Sequence, residues 1–173
     1  MQRIDMSKRC TIRPEHIEGV FIGKLRNMLV YIEGDVGEDV IIVKAYLNKP
    51  LRDNKYQPIA DLILCKEYFK NAYHVDLMRI DNRYQGHGIA PKFYRYVMKK
   101  LGIVIQAGRM QSAGGRQIWS KLCDMKDVVM FGRKGRRLYQ LEVDDDTGEL
   151  VTLEGVKVYD GPYKFDTFAC YQG

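Results

Sequence analysis

The sequence has few cysteines and no pair of them at metal-binding spacing. Four occur among 173 residues, and none stands in a C-x-x-C motif or near a histidine at zinc-ligand spacing. This scarcity argues against a disulfide framework and against a structural zinc site. We expect reduced, mostly buried thiols, with Cys65 in an apolar core strand. The four residues are Cys10, Cys65, Cys123 and Cys170.

Long apolar runs and histidines are also scarce. No run approaches the roughly 18 apolar residues that span a bilayer, and residues 1–13 lack the apolar segment of a signal peptide. We therefore expect a cytoplasmic protein with no membrane partner. His16 and His74 have no third ligand, and residues 144–146 lack the alternating ligands of a calcium loop, so no metal site is predicted.

The length and composition of the chain fit one compact domain over residues 1–173. Hydrophobic residues make up 46% of the chain, which is ordinary for a globular protein and allows a sizeable core. The formal net charge is +6 and the isoelectric point is about 9.1. This modest excess permits contact with nucleic acid, an acidic protein or a phosphate-rich cofactor, and it selects none of them.

Three β-branched and aromatic segments predict strands in the first half of the chain. They are separated by short turn-like breaks, which favours an antiparallel meander. The segments are Asp39–Leu47, Ile59–Phe69 and Tyr73–Asp81. Residues 20–32 are compatible with a helix or a hairpin, and we favour the hairpin.

The pattern then changes to helical spacing. Apolar residues three and four positions apart predict a helix over Ala90–Leu101, which Gly102 ends. A buried strand over Gly102–Ala107 would complete a strand–helix–strand crossover with a parallel pair. The order of elements predicts an α/β (α+β) fold with a mixed, mostly antiparallel sheet flanked by helices.

A second helix and further strands are predicted after residue 111. Ser112 is the expected N-cap of a helix that reaches Cys123, and two glycines in its first turn predict close packing against the backbone. A strand, a basic turn and a C-terminal hairpin over about residues 138–159 follow. They cover Asp127–Phe131, Gly132–Arg137, and the hairpin strands Leu138–Val143 and Glu149–Tyr159.

A glycine-bearing turn joins the strand that ends at Asp81 to the helix that begins at Ala90. A helix N-terminus offers unpaired N–H groups and a positive dipole end, and glycine lets a ligand approach the backbone. We therefore predict a phosphate site. The dinucleotide fingerprint G-x-G-x-x-G fails, because Pro91 stands where the third glycine after Gly86 and Gly88 belongs. A Walker A loop is excluded because Gly-Lys-Ser/Thr is absent.

The segment Gln85–Ala90, Gln-Gly-His-Gly-Ile-Ala, fits the pattern Gln/Arg-x-x-Gly-x-Gly/Ala of the GNAT (Gcn5-related N-acetyltransferase) superfamily. Arg83–Gly88 fits the pattern in a second register. The order of elements over residues 39–131 also resembles the family's core. The string Gln-Ser-Ala-Gly-Gly-Arg-x-Ile-Trp, which begins at Gln111, resembles a variant in bacteriophage-encoded GNAT-like proteins. The chain thus resembles a divergent member of this superfamily.

The resemblance implies a CoA site with acetyl-CoA as the acyl donor. Amides of the turn would hold the pyrophosphate, backbone groups of Ile80 would bind pantetheine, and Ser112 would replace a family asparagine that approaches the cofactor. Trp119 stands where the family has a tyrosine that protonates the departing thiolate, and an indole cannot act as that acid. The implied cofactor-binding residues are Ile80, Gln85, Gly86, His87, Gly88, Ile89, Ala90 and Ser112.

Two ionisable residues of the strand before the turn are candidates for the catalytic base. Alternation places His74 and Asp76 on one face with Met78 and Ile80. Either group could take a proton from an attacking amine. The alternative is an exposed sheet face on which both groups are solvated. We expect the side chain of His87 to point outward from the turn and assign it no catalytic role.

The densest positive cluster is Arg133, Lys134, Arg136 and Arg137. Such a cluster predicts contact with a nucleic acid backbone or an acidic partner. The alternative is a solvated turn with no partner.

Two functions are compatible with the sequence. The first is a CoA-dependent N-acyltransferase that transfers an acetyl group from acetyl-CoA to a primary amine by direct attack. The second is a catalytically inactive GNAT-fold binding module that acts on nucleic acid or a host protein. The glycine turn favours the enzyme and Trp119 favours the module. The class of acceptor amine and the oligomeric state stay open.

Overall fold

The computed structural model describes residues 13–51, 54–69, 71–108, 111–159 and 165–173. Within them it has ten strands, two α-helices and two short 3-10 turns, which confirms the predicted α/β class with a mostly antiparallel sheet. The chain divides into two compact units, residues 1–66 with 75–89 and residues 67–74 with 90–173. The single domain over residues 1–173 stays a prediction. Cys10, for which we expect a reduced thiol, lies outside the described residues.

The first unit is built on consecutive strands of the sheet. The strands are β1 (Val20–Leu25), β2 (Met28–Glu33), β3 (Val40–Leu47), β4 (Pro58–Lys66) and β5 (Ala72–Ile80), whose first three residues belong to the second unit. Each of β1 to β3 pairs with the next strand in antiparallel fashion, and β5 is the neighbour of β4. The hairpin predicted over residues 20–32 is confirmed.

Two of the buried charges of this unit, Lys44 and Asp61, belong to ion pairs. Lys44 is 7% exposed and contacts the carboxylate of Glu33, and Asp61 is 3% exposed and accepts from Arg79 Nη2 at 3.0 Å. Lys44 and Asp61 are cross-strand partners in the β3–β4 register. A charge buried without a partner would be strongly destabilising, so the pairing lets polar residues occupy an otherwise apolar sheet.

The second unit contains the remaining strands and the helices. They are β6 (Val104–Gln106), β7 (Val128–Lys134), β8 (Arg137–Val143), β9 (Leu150–Thr152), β10 (Asp166–Tyr171), α1 (Ile89–Leu101, within this unit from Ala90) and α2 (Ala113–Cys123). The strand order is β5-β6-β10-β7-β8-β9. The predicted parallel pair is confirmed, because β6 runs parallel to β5. The sequence did not predict β10, which lies between β6 and β7 and is antiparallel to both.

Helix α1 forms as its apolar spacing predicts. Phe93 and Val97 are fully buried. Gly102, at φ 63°, ends the helix and donates its N–H to the carbonyl of Met98 at 2.9 Å. In the part of the chain that the structure describes, no helix is long and apolar enough to cross a membrane.

The basic turn predicted over Gly132–Arg137 is wrong in extent. Strand β7 continues through Lys134 and β8 begins at Arg137, so only Gly135 and Arg136 form the turn. Gly132 is buried and pairs with both neighbouring strands. The apolar partners of this strand therefore override the local turn signal of glycine and charge.

Two smaller predictions also need correction. The second strand of the C-terminal hairpin is three residues, Leu150–Thr152, and does not extend to Tyr159. Cys65 is half-buried, because it lies near the end of β4 and outside the core. Cys123 and Cys170 are half-buried free thiols.

Candidate functional site

The entry to the glycine turn is fixed by Asp81, directly after β5. Its N–H donates to the carbonyl of Ile59 at 2.9 Å. Its carboxylate accepts from the N–H of Arg83 at 3.0 Å and from the Arg83 guanidinium at 2.9 and 2.6 Å. These hydrogen bonds from Arg83 hold the pKa of Asp81 below its ordinary value. The 3-10 turn Asn82–Tyr84 therefore begins from a firmly held residue.

The side chain of Gln85 ties the turn back to the strand. Its Nε2 donates to the carbonyl of Ile80 at 3.0 Å and to Asn82 Oδ1 at 2.8 Å. The carbonyl of Ile80 thus has one partner already, and a carbonyl oxygen can accept a second hydrogen bond. Gln85 therefore acts through its side chain on the shape of the turn.

Gly86 and Gly88 give the turn its left-handed backbone. Their φ angles are 78° and 66°, a region that side chains with a Cβ rarely adopt. No described atom lies within 4 Å of where a Cβ would stand on either residue, so the space beside them is open. His87 between them is exposed, and its Nδ1 lies 2.9 Å from the carbonyl oxygen of Gln85.

A row of backbone N–H groups is free where the turn enters α1. No described residue accepts a hydrogen bond from the N–H of any residue from 86 to 90. Gly86 and His87 are exposed, Gly88 and Ile89 are half-buried, and Ala90 is buried. Unpaired amides at the positive end of a thirteen-residue helix form an anion-binding geometry.

The two candidate bases have different surroundings. His74 is the last residue of β5 that pairs with β6, and its Nδ1 lies 2.8 Å from Oε1 of Glu67. Asp76 is exposed and forms no ion pair with a described residue. The β5–β6 pairing covers only Ala72–His74, so residues 75–80 continue beyond the parallel pair.

The first turn of α2 is capped by a side chain, and no described residue packs closely against its glycines. Ser112 Oγ accepts from the N–H of Gly115 at 3.1 Å, so the predicted cofactor residue is the N-cap. A Cβ on Gly114 or Gly115 would meet only ordinary van der Waals contacts. The close packing predicted at these glycines is therefore not provided by any described residue.

Trp119 belongs to the core of the second unit. It is 3% exposed, and its ring lies 5.6 Å from that of Tyr94 on α1 at an angle of 32°. Burial raises the pKa of Tyr94 well above its ordinary value. Trp119 is thus a packing residue.

The basic cluster separates into one paired and three exposed side chains. Arg133 donates to Asp166 Oδ2 at 3.1 and 2.6 Å and lies over the rings of Phe69 and Phe168 at 4.8 and 5.5 Å. It is therefore occupied by partners of its own unit and is not a solvated cation. The exposed side chains are Lys134, Arg136 and Arg137.

The second unit also contains a cavity of about 270 Å³ at the carboxyl end of β6. Arg116, Tyr159, Asp166 and Thr167 contribute to its lining. The Tyr159 hydroxyl donates to Gln111 Oε1 at 3.3 Å. Burial raises the pKa of Tyr159 to about 12, so the phenol is protonated at neutral pH.

Sequence patterns alone did not identify this cavity. Gln111 and Tyr159 are 48 positions apart, and the strand that supplies Asp166 and Thr167 was not predicted. One local signal was present, because Arg116 places a positive charge near the positive end of a helix. Among the described residues, no group of three or more His, Cys, Asp or Glu side chains could hold a metal ion.

No family model and no curated protein matches the chain. A search of solved structures finds a chain from Bacteroides thetaiotaomicron whose description places it in the GNAT family of acetyltransferases. The identity is 11% and the TM-score 0.39, over 80% of this chain and 65% of that one. A likeness at this level establishes neither a family nor an activity for this protein.

Proposed function

We propose that this protein is a CoA-dependent N-acyltransferase of the GNAT type that transfers an acetyl group from acetyl-CoA to a primary amine. The observation that carries the proposal is the row of free N–H groups at residues 86–90, on an open glycine turn that leads into α1. Pyrophosphate oxygens accept several hydrogen bonds and carry negative charge, which matches both the amides and the helix end.

The resemblance implies which residues would hold the rest of the cofactor. Ile80 ends β5 just before the turn, and its backbone would hold the pantetheine arm. Ser112 would contribute at the open first turn of α2. When bound, acetyl-CoA supplies an activated acyl carbon, which passes to the amine as a C–N bond forms and the C–S bond breaks.

The chain must also move a proton from the amine nitrogen. His74 and Asp76 are the candidate bases, and Nδ1 of His74 lies 2.8 Å from Oε1 of Glu67. Trp119 cannot return a proton to the thiolate, because it is a buried indole. Since a thiol has an ordinary pKa of about 8.5, water can supply that proton near neutral pH.

Calorimetric titration with CoA tests the turn. The Gly88→Val variant should lose CoA binding, because a β-branched side chain occupies the open space and disfavours the left-handed backbone. Gly148→Val is the matched control, since Gly148 has φ 68° and equally open surroundings at the tip of the β8–β9 hairpin. Unchanged CoA affinity in a folded Gly88→Val protein would refute the proposed site.

The pH dependence of turnover tests the base. Activity should fall at low pH in the native protein. This fall should disappear in one of the two variants His74→Ala and Asp76→Ala, the one that lacks the base. If turnover still falls at low pH in both variants, neither residue is the base.

The burial of Trp119 favours a second candidate, a GNAT-fold module without catalysis. Such a module would bind its partner through the exposed cations Lys134, Arg136 and Arg137. Tight CoA binding without acetyl transfer to any amine in a broad panel would support this candidate.

A further inference from the structure

The cavity of the second unit is lined by the guanidinium of Arg116, which forms no ion pair with a described carboxylate. Arg116 lines it and lies over the Tyr159 ring, with Cζ 5.0 Å from the ring centroid. The first turn of α2 contains no acidic residue, so the helix dipole and Arg116 act in the same direction. A cation at this end of a helix is unfavourable for stability, but it would favour a bound anion.

Asp166 gives the cavity a free acceptor. Both hydrogen bonds from Arg133 go to Oδ2. No described residue donates to Oδ1, and Asp166 lines the cavity. The carboxylate is thus oriented by Arg133 and keeps one oxygen available for a cationic donor.

Neutral polar groups accompany the two charged groups of the cavity lining. Thr167 is 2% exposed and lines the cavity. Its side chain interacts with the hydroxyl of Tyr159, which also donates to Gln111 Oε1. Hydroxyl and amide groups can each hydrogen-bond a polar ligand.

We propose that this cavity binds a small amine that also carries a carboxylate, with the carboxylate on Arg116 and the ammonium group on Asp166 Oδ1. A volume of about 270 Å³ suits a molecule of amino-acid size. That this molecule is the acetyl acceptor rests on the proposed acyltransferase function. The binding site itself does not depend on that function.

Matched pairs of ligands test the proposal with the full chain in the absence of CoA. Three amino acids are compared by NMR titration with the amines that lack only the carboxylate. The pairs are L-leucine with 3-methylbutylamine, L-phenylalanine with 2-phenylethylamine, and L-lysine with 1,5-diaminopentane. In at least one pair the amino acid should bind at least about tenfold more tightly, as expected for a charge-assisted contact with arginine.

Substitutions assign this preference to Arg116. Arg116→Gln should abolish it and Arg116→Lys should retain part of it. Lys121→Gln, which removes an exposed cation from the same helix outside the lining, should leave it unchanged. Arg116 is exposed, so we expect each variant to fold, and thermal melting checks this.

The outcomes separate the two proposals. No carboxylate preference in any pair, no binding of any member, or a preference that survives in Arg116→Gln would overturn the inference. Amino-acid binding by a protein that does not bind CoA would keep this site and reject the acyltransferase. CoA binding without any carboxylate preference would keep the proposed CoA site and reject the amino-acid site.

Discussion

Glycines at different positions have different structural requirements in this molecule. Gly86 and Gly88 require a left-handed backbone, whereas Gly114 lies in the first turn of α2, where a Cβ would meet only Ser112 Oγ at 3.9 Å. Gly132 lies in a strand where a Cβ would come within 2.8 Å of the Phe165 ring and 3.1 Å of Leu141. Only the structure distinguishes these cases, because the sequence shows glycine in each.

Alanine substitutions at Gly114 and Gly132 should therefore have opposite effects. Gly114→Ala should raise the free energy of unfolding by about 0.5–1 kcal/mol, because alanine loses less conformational entropy in a helix. Gly132→Ala should lower it by about 1–3 kcal/mol, because the added methyl overpacks a buried contact. Urea denaturation measures both. An unchanged free energy of unfolding in Gly132→Ala would mean that the Phe165 ring can move aside without loss of stability.

The Asp81–Arg83 pair predicts a defined pH dependence. Because Arg83 lowers the pKa of Asp81, ionised Asp81 stabilises the folded state at neutral pH, and this stabilisation is lost as pH falls through the lowered folded pKa. Arg83→Gln should reduce stability at pH 7. Its difference from the native protein should begin to shrink near the ordinary aspartate pKa of about 3.9 and vanish below the lowered folded pKa.

The control for this comparison is Lys24→Gln, an exposed cation of the same unit. Urea unfolding from pH 2 to 7 supplies the measurement. Arg83 is half-exposed, so salt should weaken the effect. A difference that persists unchanged at pH 2 would show that Arg83 acts through packing.

The elements that could be predicted are those specified by local pattern. The strands β3, β4 and β5 and the helix α1 each follow from periodicity and from the short turn-like breaks between them. Strand β10 could not be placed, because its position between β6 and β7 depends on partners distant in sequence. The glycine turn could be located for the same local reason that α1 could, whereas the cavity depends on β10.

The β7–β8 hairpin limits how many cations of the basic cluster are available to a partner. Arg133 is occupied by Asp166 and two aromatic rings, so the cations available to a partner are Lys134, Arg136 and Arg137. The cluster that the sequence presents as one positive run is therefore a smaller exposed patch around a two-residue turn.

If this patch contacts a nucleic acid backbone, the double variant Arg136→Gln/Arg137→Gln should weaken binding to all sequences alike. The slope of log affinity against log salt should flatten by up to about 1.8, since each phosphate contact contributes roughly 0.9 on duplex DNA. The control is Lys121→Gln/Lys126→Gln, which removes equal charge from the region of α2. No binding to generic DNA or RNA at low salt would reject the nucleic-acid partner.

At the scale of the whole molecule, residues 67–74 of the second unit interrupt the first unit in sequence. Strand β5 contributes residues to both units, so neither unit is one continuous piece of chain. Local melting of one unit would break a shared strand. We therefore expect one cooperative unfolding transition, for which the calorimetric and van't Hoff enthalpies agree.

Acetyl-CoA should raise the temperature of that single transition. A ligand that binds only the folded state at about 100 times its dissociation constant stabilises it by about 2.7 kcal/mol. For a chain of this size, about 1 kcal/mol corresponds to roughly 2–4 °C, so the midpoint should rise by about 5–10 °C. The shift should be absent in Gly88→Val and present in Gly148→Val, because only the former alters the turn that precedes α1. Two separate transitions, of which acetyl-CoA moves one, would contradict the single domain and leave the CoA site intact. One transition that acetyl-CoA does not move would instead reject the CoA site, because binding to the folded state must shift its equilibrium with the unfolded chain.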